Sequence, residues 1–294
     1  MTISLNFIGA EAVVDPAAQT EINSLIIKCA SQNALYNPSI QQEFVESYRD
    51  WIQLSNFVFG LEQFPIGAYS NGTTETFDKF YLKHHNRRFR CFKGEYMYQM
   101  ACGKNYCPSW KFLDDDQVRE NDAVVISYPF SDTGNEHPEM LSILDQCYVL
   151  GVPVLIDCAF FGLTGKMVID ITHPAITTVT FSLSKFLPVA NLRIGVRFTR
   201  HDDDDTLLIS QKHGYINRLG AGVGLEIFRN YTPDYNYKKY RILQKKFCNE
   251  LNLKPSHCVI FGIDTIGKYS EYNRGSESNR LCFSKYFNAE TISI

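Results

Sequence analysis

An α/β fold, with a mostly parallel central sheet and a smaller α+β domain beside it, is what this sequence predicts, and three observations carry the prediction. Short β-rich runs alternate with helical patterns through the first two-thirds of the chain, the arrangement expected of a parallel sheet covered by helices on both faces. After about residue 205 the pattern changes to longer helical segments and then a short β-like tail. With 294 residues, 45% of them hydrophobic and 14% aromatic, the chain has apolar material for one large core and a satellite.

The first 50 residues read as helices with loops that pack with the C-terminal part. Strands follow at Phe64–Ser70, Phe89–Phe92, Ala123–Ser127, Val152–Asp157, Thr177–Ser182 and Ile194–Phe198, each a short apolar or β-branched run closed by turn residues. Between two of them, Pro138–Leu150 keeps Met140, Ile143, Leu144 and Cys147 at helical spacing. Two longer helical segments, Leu207–Asn230 and Tyr237–Leu251, precede β-like runs at Val259–Ile263 and Arg280–Ser284. The resulting division is 1–50, an N-terminal segment; 51–205, a large domain; and 206–294, connecting helices with a small domain. There is no internal repeat, Pro/Ser-rich linker or low-complexity tract.

Charge and cysteine usage exclude several classes. A net charge of −3 gives no basic field for nucleic acid or an anionic membrane surface. The run Asp202-Asp203-Asp204-Asp205 reads as a solvated loop. No stretch of 18 uninterrupted apolar residues occurs, and Met1-Thr2-Ile3-Ser4-Leu5 lacks the charged lead and apolar run of a signal peptide. The nine cysteines, at 29, 91, 102, 107, 147, 158, 248, 258 and 282, are odd in number and form no CxxC pair. They read as reduced, buried thiols of a cytoplasmic protein, not as a disulfide framework or metal site.

In an open sheet of this kind, ligands sit beyond the carboxyl ends of the strands. Three segments there carry chemistry. Asn71-Gly72-Thr73-Thr74-Glu75 follows the first strand and opens a helix; glycine allows a tight turn, and hydroxyls with free N–H groups can cradle a phosphate. A Thr-capped helix with Glu in its first turn gives the same string. Val154-Leu155-Ile156-Asp157 ends an apolar strand on a carboxylate, which needs a cationic or donor partner if buried, or else is a cap or loop residue. Thr180-Phe181-Ser182-Leu183-Ser184-Lys185, with Arg193-Ile194-Gly195 beyond it, sets a lysine among two hydroxyls and a guanidinium. Such a lysine loses its proton more easily, and the neutral amine is what attacks an aldehyde. The hydroxyls and the guanidinium also suit a phosphate dianion.

In chain order these segments read Gly-Thr-Thr, Asp, Ser-x-Ser-Lys, Arg-x-Gly. That order resembles the class I/II aminotransferases, the aspartate-aminotransferase branch of the fold type I pyridoxal-phosphate enzymes, over nearly the whole chain. The resemblance implies the three-layer transferase fold of that family, with pyridoxal 5′-phosphate as cofactor. It implies that Lys185 carries the cofactor as a Schiff base and shuttles the proton, and that Asp157 pairs with the ring nitrogen. Gly72, Thr73, Thr74, Ser182, Ser184 and Arg193 correspond to the phosphate cup. Tyr96, in Lys93-Gly94-Glu95-Tyr96-Met97-Tyr98, corresponds to the aromatic that stacks on the ring, with Tyr98 a rival. Arg280, in Asn279-Arg280-Leu281, corresponds to the clamp on the substrate α-carboxylate, and Gly9 falls on the substrate side. Tyr36, in Ala34-Leu35-Tyr36-Asn37-Pro38, corresponds to the tyrosine that reaches the phosphate of a neighbouring subunit, which implies a homodimer with shared active sites.

The chain departs from the family in two places. Ser131, in Tyr128-Pro129-Phe130-Ser131-Asp132-Thr133-Gly134, stands where an asparagine bonds the cofactor's phenolic oxygen, and Phe160 stands where many members have a tyrosine bonding the same oxygen. The chain is also shorter than typical members. The expectation is therefore an aminotransferase-like enzyme acting on an α-amino acid and a 2-oxo acid. A lyase, racemase or decarboxylase using the same cofactor is the alternative, and a cofactor-binding protein without turnover is a third reading.

Overall fold

In the computed structural model the described residues are 9–31, 36–106, 109–202 and 204–288. Met1 to Leu5, Ala34, Leu35, Cys107 and Asp203 lie outside them, as does the side chain of Cys102. Two helices come first, α1 (Pro16–Ser31) and α2 (Ile40–Gln53). The large unit then runs β1 (Val58–Phe59), β2 (Ile66–Ser70), α3 (Thr73–Lys83), β3 (Arg88–Cys91), α4 (Met97–Tyr106), β4 (Trp110–Phe112), β5 (Asp122–Ser127), α5 (Met140–Val149), β6 (Val154–Cys158), β7 (Ile169–Asp170), β8 (Ile176–Ser182) and β9 (Gly195–Thr199). It is followed by α6 (Thr206–His213), α7 (Arg218–Asn230), α8 (Tyr235–Leu251), β10 (Lys254–Pro255), β11 (Phe261–Asp264) and β12 (Asn279–Cys282).

Seven strands form the main sheet in the order β2-β9-β8-β6-β5-β3-β4, and β9 alone runs against its neighbours. The pleat explains why the middle of a central strand such as β5 is apolar on both faces. On β5, Val124 and Ile126 enter the core shared with α2, α5 and α7, while Ala123 and Val125 meet Phe77, Phe80 and Tyr81 of α3 on the other face. Because β5, β6 and β8 are parallel, their carboxyl ends coincide. Ser127, Asp157 and Ser182 therefore finish side by side, with Ser127 and Asp157 in register.

A second cluster is built from α8, β10–β12 and the residues between them, with Phe247, Phe261, Leu281 and Phe283 at its centre. The sequence reading groups residues 1–50 with this part. Val13 does enter the second cluster, and its neighbour Val14 donates its N–H to the Ser284 carbonyl at 3.0 Å. Helices α1 and α2, however, bury Ile22, Leu25, Phe44, Tyr48 and Trp51 in the large core, since their apolar stripes face α7 and the sheet. The helical segment 207–230 is two helices. Gly214, at φ 69°, ends α6 in the left-handed conformation that glycine adopts without strain. Among the described residues no helix is long and apolar enough to cross a membrane.

Candidate active site

A cavity of about 310 Å³ opens at the carboxyl ends of the parallel strands, between the sheet and the second cluster. Of the residues singled out in the sequence, Gly9, Thr73, Thr74, Tyr96, Ser131, Asp157, Phe160, Ser182, Ser184, Lys185, Arg193 and Arg280 all line it. Residues as far apart in the chain as Thr73 and Arg280 meet at one cavity because most of them lie at, or shortly after, the carboxyl end of a strand, and Arg280 lies in β12.

One end of the cavity is the start of α3. Gly72 precedes it at φ 76°, and a Cβ there would fall 2.3 Å from Nη2 of Arg193. A Cβ on Gly195 would fall 2.9 Å from the Cα of Gly72. The two glycines thus let the Arg193 guanidinium lie against the helix start, where Nη2 donates to the Asn71 carbonyl at 3.1 Å and to Oγ1 of Thr74 at 3.0 Å. Arg193 itself is left-handed, at φ 53°, a conformation that costs a non-glycine residue about 1–3 kcal/mol. The Tyr69 hydroxyl donates to its carbonyl at 2.9 Å and helps hold it there. Glu75 bonds back to the Asn71 N–H at 2.7 Å, while no side chain caps α3. Ser182 donates to Ser184 Oγ at 2.9 Å, and both hydroxyls face the same end of the cavity. Free N–H groups of a helix start, the hydroxyls of Thr73, Thr74, Ser182 and Ser184, and a guanidinium together make an anion cradle.

Asp157 lies deeper, 4% exposed, and accepts the Ala159 N–H at 3.0 Å. Burial, with Glu95 nearby, pushes its carboxyl up to about 8; a cationic partner would bring it down again. Lys185 is half-buried and donates from Nζ to the Ala10 carbonyl. Burial lowers its amine from the usual lysine value; Cys282 and Glu11 oppose this, and Arg280 and Arg193 add to it.

The opposite wall belongs to the second cluster. Arg280 is 3% exposed on β12, its guanidinium stacks 4.5 Å above the Phe261 ring, and Nη1 donates to the Ser131 carbonyl at 2.6 Å. Burial, and then the charge of Arg274, lowers it to about 10. Phe160 meets Phe261 edge-on at 5.3 Å and brings no donor. Tyr96 is 41% exposed at the cavity mouth, stacked on Tyr98 at 6.0 Å; Tyr98 instead turns its hydroxyl to Asp78. Tyr36 is 77% exposed and is not part of the lining.

Three lining or supporting residues escaped the sequence reading. Arg274 donates to the carbonyls of Ser131 at 3.0 Å and Glu95 at 3.2 Å and pairs with Asp132 at 3.5 Å. It sits in a polar loop with no pattern to mark it. Glu95 and Ser127 bond each other beneath the cavity. Their only sequence signal is position, one after a strand and one at a strand end.

Neither a protein-family model nor a curated protein sequence matches the chain. Solved structures do. The chain is similar to an aminotransferase from Staphylococcus aureus (13% identity, 97% of this chain and 91% of that one covered, TM-score 0.67). It is similar to an aromatic aminotransferase from Pyrococcus horikoshii OT3 (11%, 98% and 92%, TM-score 0.68). It is equally similar to a PLP-bound C-S lyase from Staphylococcus hominis (11%, 98% and 87%, TM-score 0.68). At such identities what is shared is architecture, and the mostly parallel central sheet with its helices matches it: the chain has the fold of the pyridoxal-phosphate-dependent aminotransferases of fold type I.

Proposed function

We propose that the chain is a pyridoxal-phosphate-dependent enzyme of aminotransferase type, acting on an α-amino acid and a 2-oxo acid. The observation that carries this reading is the meeting in one cavity of an anion cradle, a buried carboxyl, a lysine depressed by burial and a buried arginine. These residues fit the cofactor. The cradle of α3, Ser182, Ser184 and Arg193 suits its phosphate, a Gly72 Cβ would spoil that cradle, and Asp157 suits a protonated ring nitrogen. The volume of about 310 Å³ is at the small end of pockets for such ligands, roughly 300–1,000 Å³.

When bound, pyridoxal phosphate supplies an aldehyde and an electron-withdrawing ring that accepts the charge left when an α-proton departs. Lys185 contributes an amine that is neutral more often than an exposed lysine, able to attack a carbonyl carbon and later to accept the α-proton at Nζ. To do so it must leave the Ala10 carbonyl. Arg280 presents a planar, desolvated guanidinium to the substrate carboxylate. Asp157 would hold the charge at the ring nitrogen, and Tyr96, at the cavity mouth, would cover the ring.

One observation favours a second reading with the same cofactor, a lyase, racemase or decarboxylase. Phe160 carries no donor and Ser131 offers only a short hydroxyl, so the residues that control the far edge of the ring differ from those of the aminotransferases that the sequence resembles. Stoichiometry separates the two. Given an amino acid and no 2-oxo acid, a transaminase consumes one equivalent per site and stops; a lyase or racemase continues. Sustained turnover without acceptor would replace the first reading by the second.

A further inference from the structure

Behind Ser127, which lines the cavity, lies a second carboxyl group that the chemistry above leaves unused. Glu95 follows β3 and is 3% exposed. Its Oε1 accepts the Ser127 N–H at 2.7 Å, and its Oε2 accepts the Ser127 hydroxyl. Ser127 ends β5 and is the register partner of Asp157 on β6. Register partners in a parallel pair stand side by side on one face, one strand spacing of ~4.8 Å apart. Glu95 thus reaches Asp157 around a single serine.

A purely structural role for Glu95, tying the loop after β3 to the end of β5, does not require a charge. Glutamine would accept the same N–H and donate to the same hydroxyl. A carboxyl there comes at the cost of desolvation, and its charge acts on Asp157, whose carboxyl it helps to raise. Burial raises Glu95, against the Ser127 bonds, the Tyr96 N–H and the charge of Arg274. The charged and titratable groups around the pair are Lys185 after β8, Arg274 before β12, whose guanidinium bonds the Glu95 carbonyl, Asp132, which pairs with Arg274 and packs against Gly94, and the thiols of Cys91 and Cys158. Two adjacent buried carboxyls do not readily carry two charges unless a cation comes between or beside them.

We propose that Glu95 is a positioning residue that acts through Asp157, the two forming a carboxyl pair that keeps the ring nitrogen of bound pyridoxal phosphate protonated. The proton comes from solvent and rests on the ring nitrogen, and no bond other than that N–H is made. The inference rests on the reading of Asp157 given under the proposed function, and its test keeps the two apart.

The test uses the full chain loaded with pyridoxal phosphate carrying ¹⁵N in the ring, whose chemical shift reports protonation directly. It is followed against pH in the wild type, Glu95→Gln and Asp157→Asn. Loss of a neighbouring negative charge disfavours the ring cation, so Glu95→Gln should lose the ring proton about one pH unit lower than the wild type, a roughly tenfold weaker hold. Asp157→Asn should lose it lower still. If Glu95→Gln titrates with the wild type while Asp157→Asn is displaced, the proposal is overturned and Glu95 only anchors its loop. If Asp157→Asn is not displaced either, the Asp157 reading fails first and takes the proposal with it. Should Glu95→Gln not fold, Ser127→Ala serves instead. It removes a donor that favours the charged form of Glu95, so it should move the titration in the same direction, and an unmoved titration there is equally fatal.

Discussion

At the scale of single residues, the cavity depends on close approaches that a side chain of ordinary size would block. Gly72 is the clearest case, since its positive φ and the 2.3 Å gap to Arg193 Nη2 both exclude a Cβ. Gly72→Ala should push the guanidinium off the start of α3, at a cost of about 1–3 kcal/mol. Pyridoxal phosphate should bind about tenfold or more weakly in equilibrium titration, and unchanged affinity would remove Arg193 from the cradle. Arg280 makes a different kind of contribution. Losing one partner of a desolvated charge pair costs about 2–5 kcal/mol, so Arg280→Ala should raise the Michaelis constant of every accepted amino acid while cofactor affinity stays as it was. Both residues were legible in the sequence because each belongs to a local string, Gly-Thr-Thr or Asn-Arg-Leu. Arg274 and Glu95 were not, because what makes them matter is which carbonyl or hydroxyl they meet across the fold.

At the scale of elements, the strands were read well and their helical surroundings less so. The six main-sheet strand runs found in the sequence are β2, β3, β5, β6, β8 and β9. Of these, β5 and β6 carry a nearly continuous apolar signal because both faces are covered, and β3, β8 and β9 an aromatic and β-branched one interrupted by polar residues. Strand β4 is three residues at the sheet edge, half-exposed, and gives no such signal. The break between α6 and α7 was readable in principle, from Lys212-His213-Gly214, a basic last turn followed by glycine. Apolar spacing continued across it and hid the stop. The segment from Ala10 to Asp15 runs from the cavity to α8. There Asp15 accepts the Tyr240 hydroxyl at 2.6 Å and pairs with Lys239. Burial alone would raise Asp15, but Lys239 and Tyr240 outweigh it and hold the carboxyl at about 2. A carboxyl depressed in the fold stabilises it above its unfolded value near ~3.9, and the contribution is lost as pH falls toward about 2. Asp15→Asn should therefore lower stability at neutral pH by about 1–3 kcal/mol. The gap from the wild type should close on acidification through that window in denaturant titrations. A constant gap across pH would place the loss elsewhere.

At the scale of the whole molecule, two hydrophobic clusters meet at one cleft, and the proposed chemistry uses both. The sheet side brings Asp157, Lys185 and the anion cradle; the second cluster brings Arg280 and the Phe160–Phe261 contact. Assembly belongs to this scale too. Tyr36 is exposed and away from its own cavity, as the reading of a tyrosine serving a neighbouring subunit requires. On that reading the enzyme is a C2 dimer. Mixing Lys185→Ala subunits with Tyr36→Asp subunits should then restore about a quarter of wild-type activity, because one site in each mixed dimer has neither defect. No restoration, or a monomer in sedimentation, would remove Tyr36 from the site.

The central claim is that Lys185 is the cofactor-binding lysine of this cavity, and covalent mapping tests it most directly. The chain is incubated with pyridoxal phosphate, reduced with borohydride, digested and mapped by mass spectrometry. The account predicts a single major modified position, Lys185, formed with saturation at low cofactor concentration and absent from Lys185→Ala. Modification spread over exposed lysines, or a major site at another lysine, would contradict it.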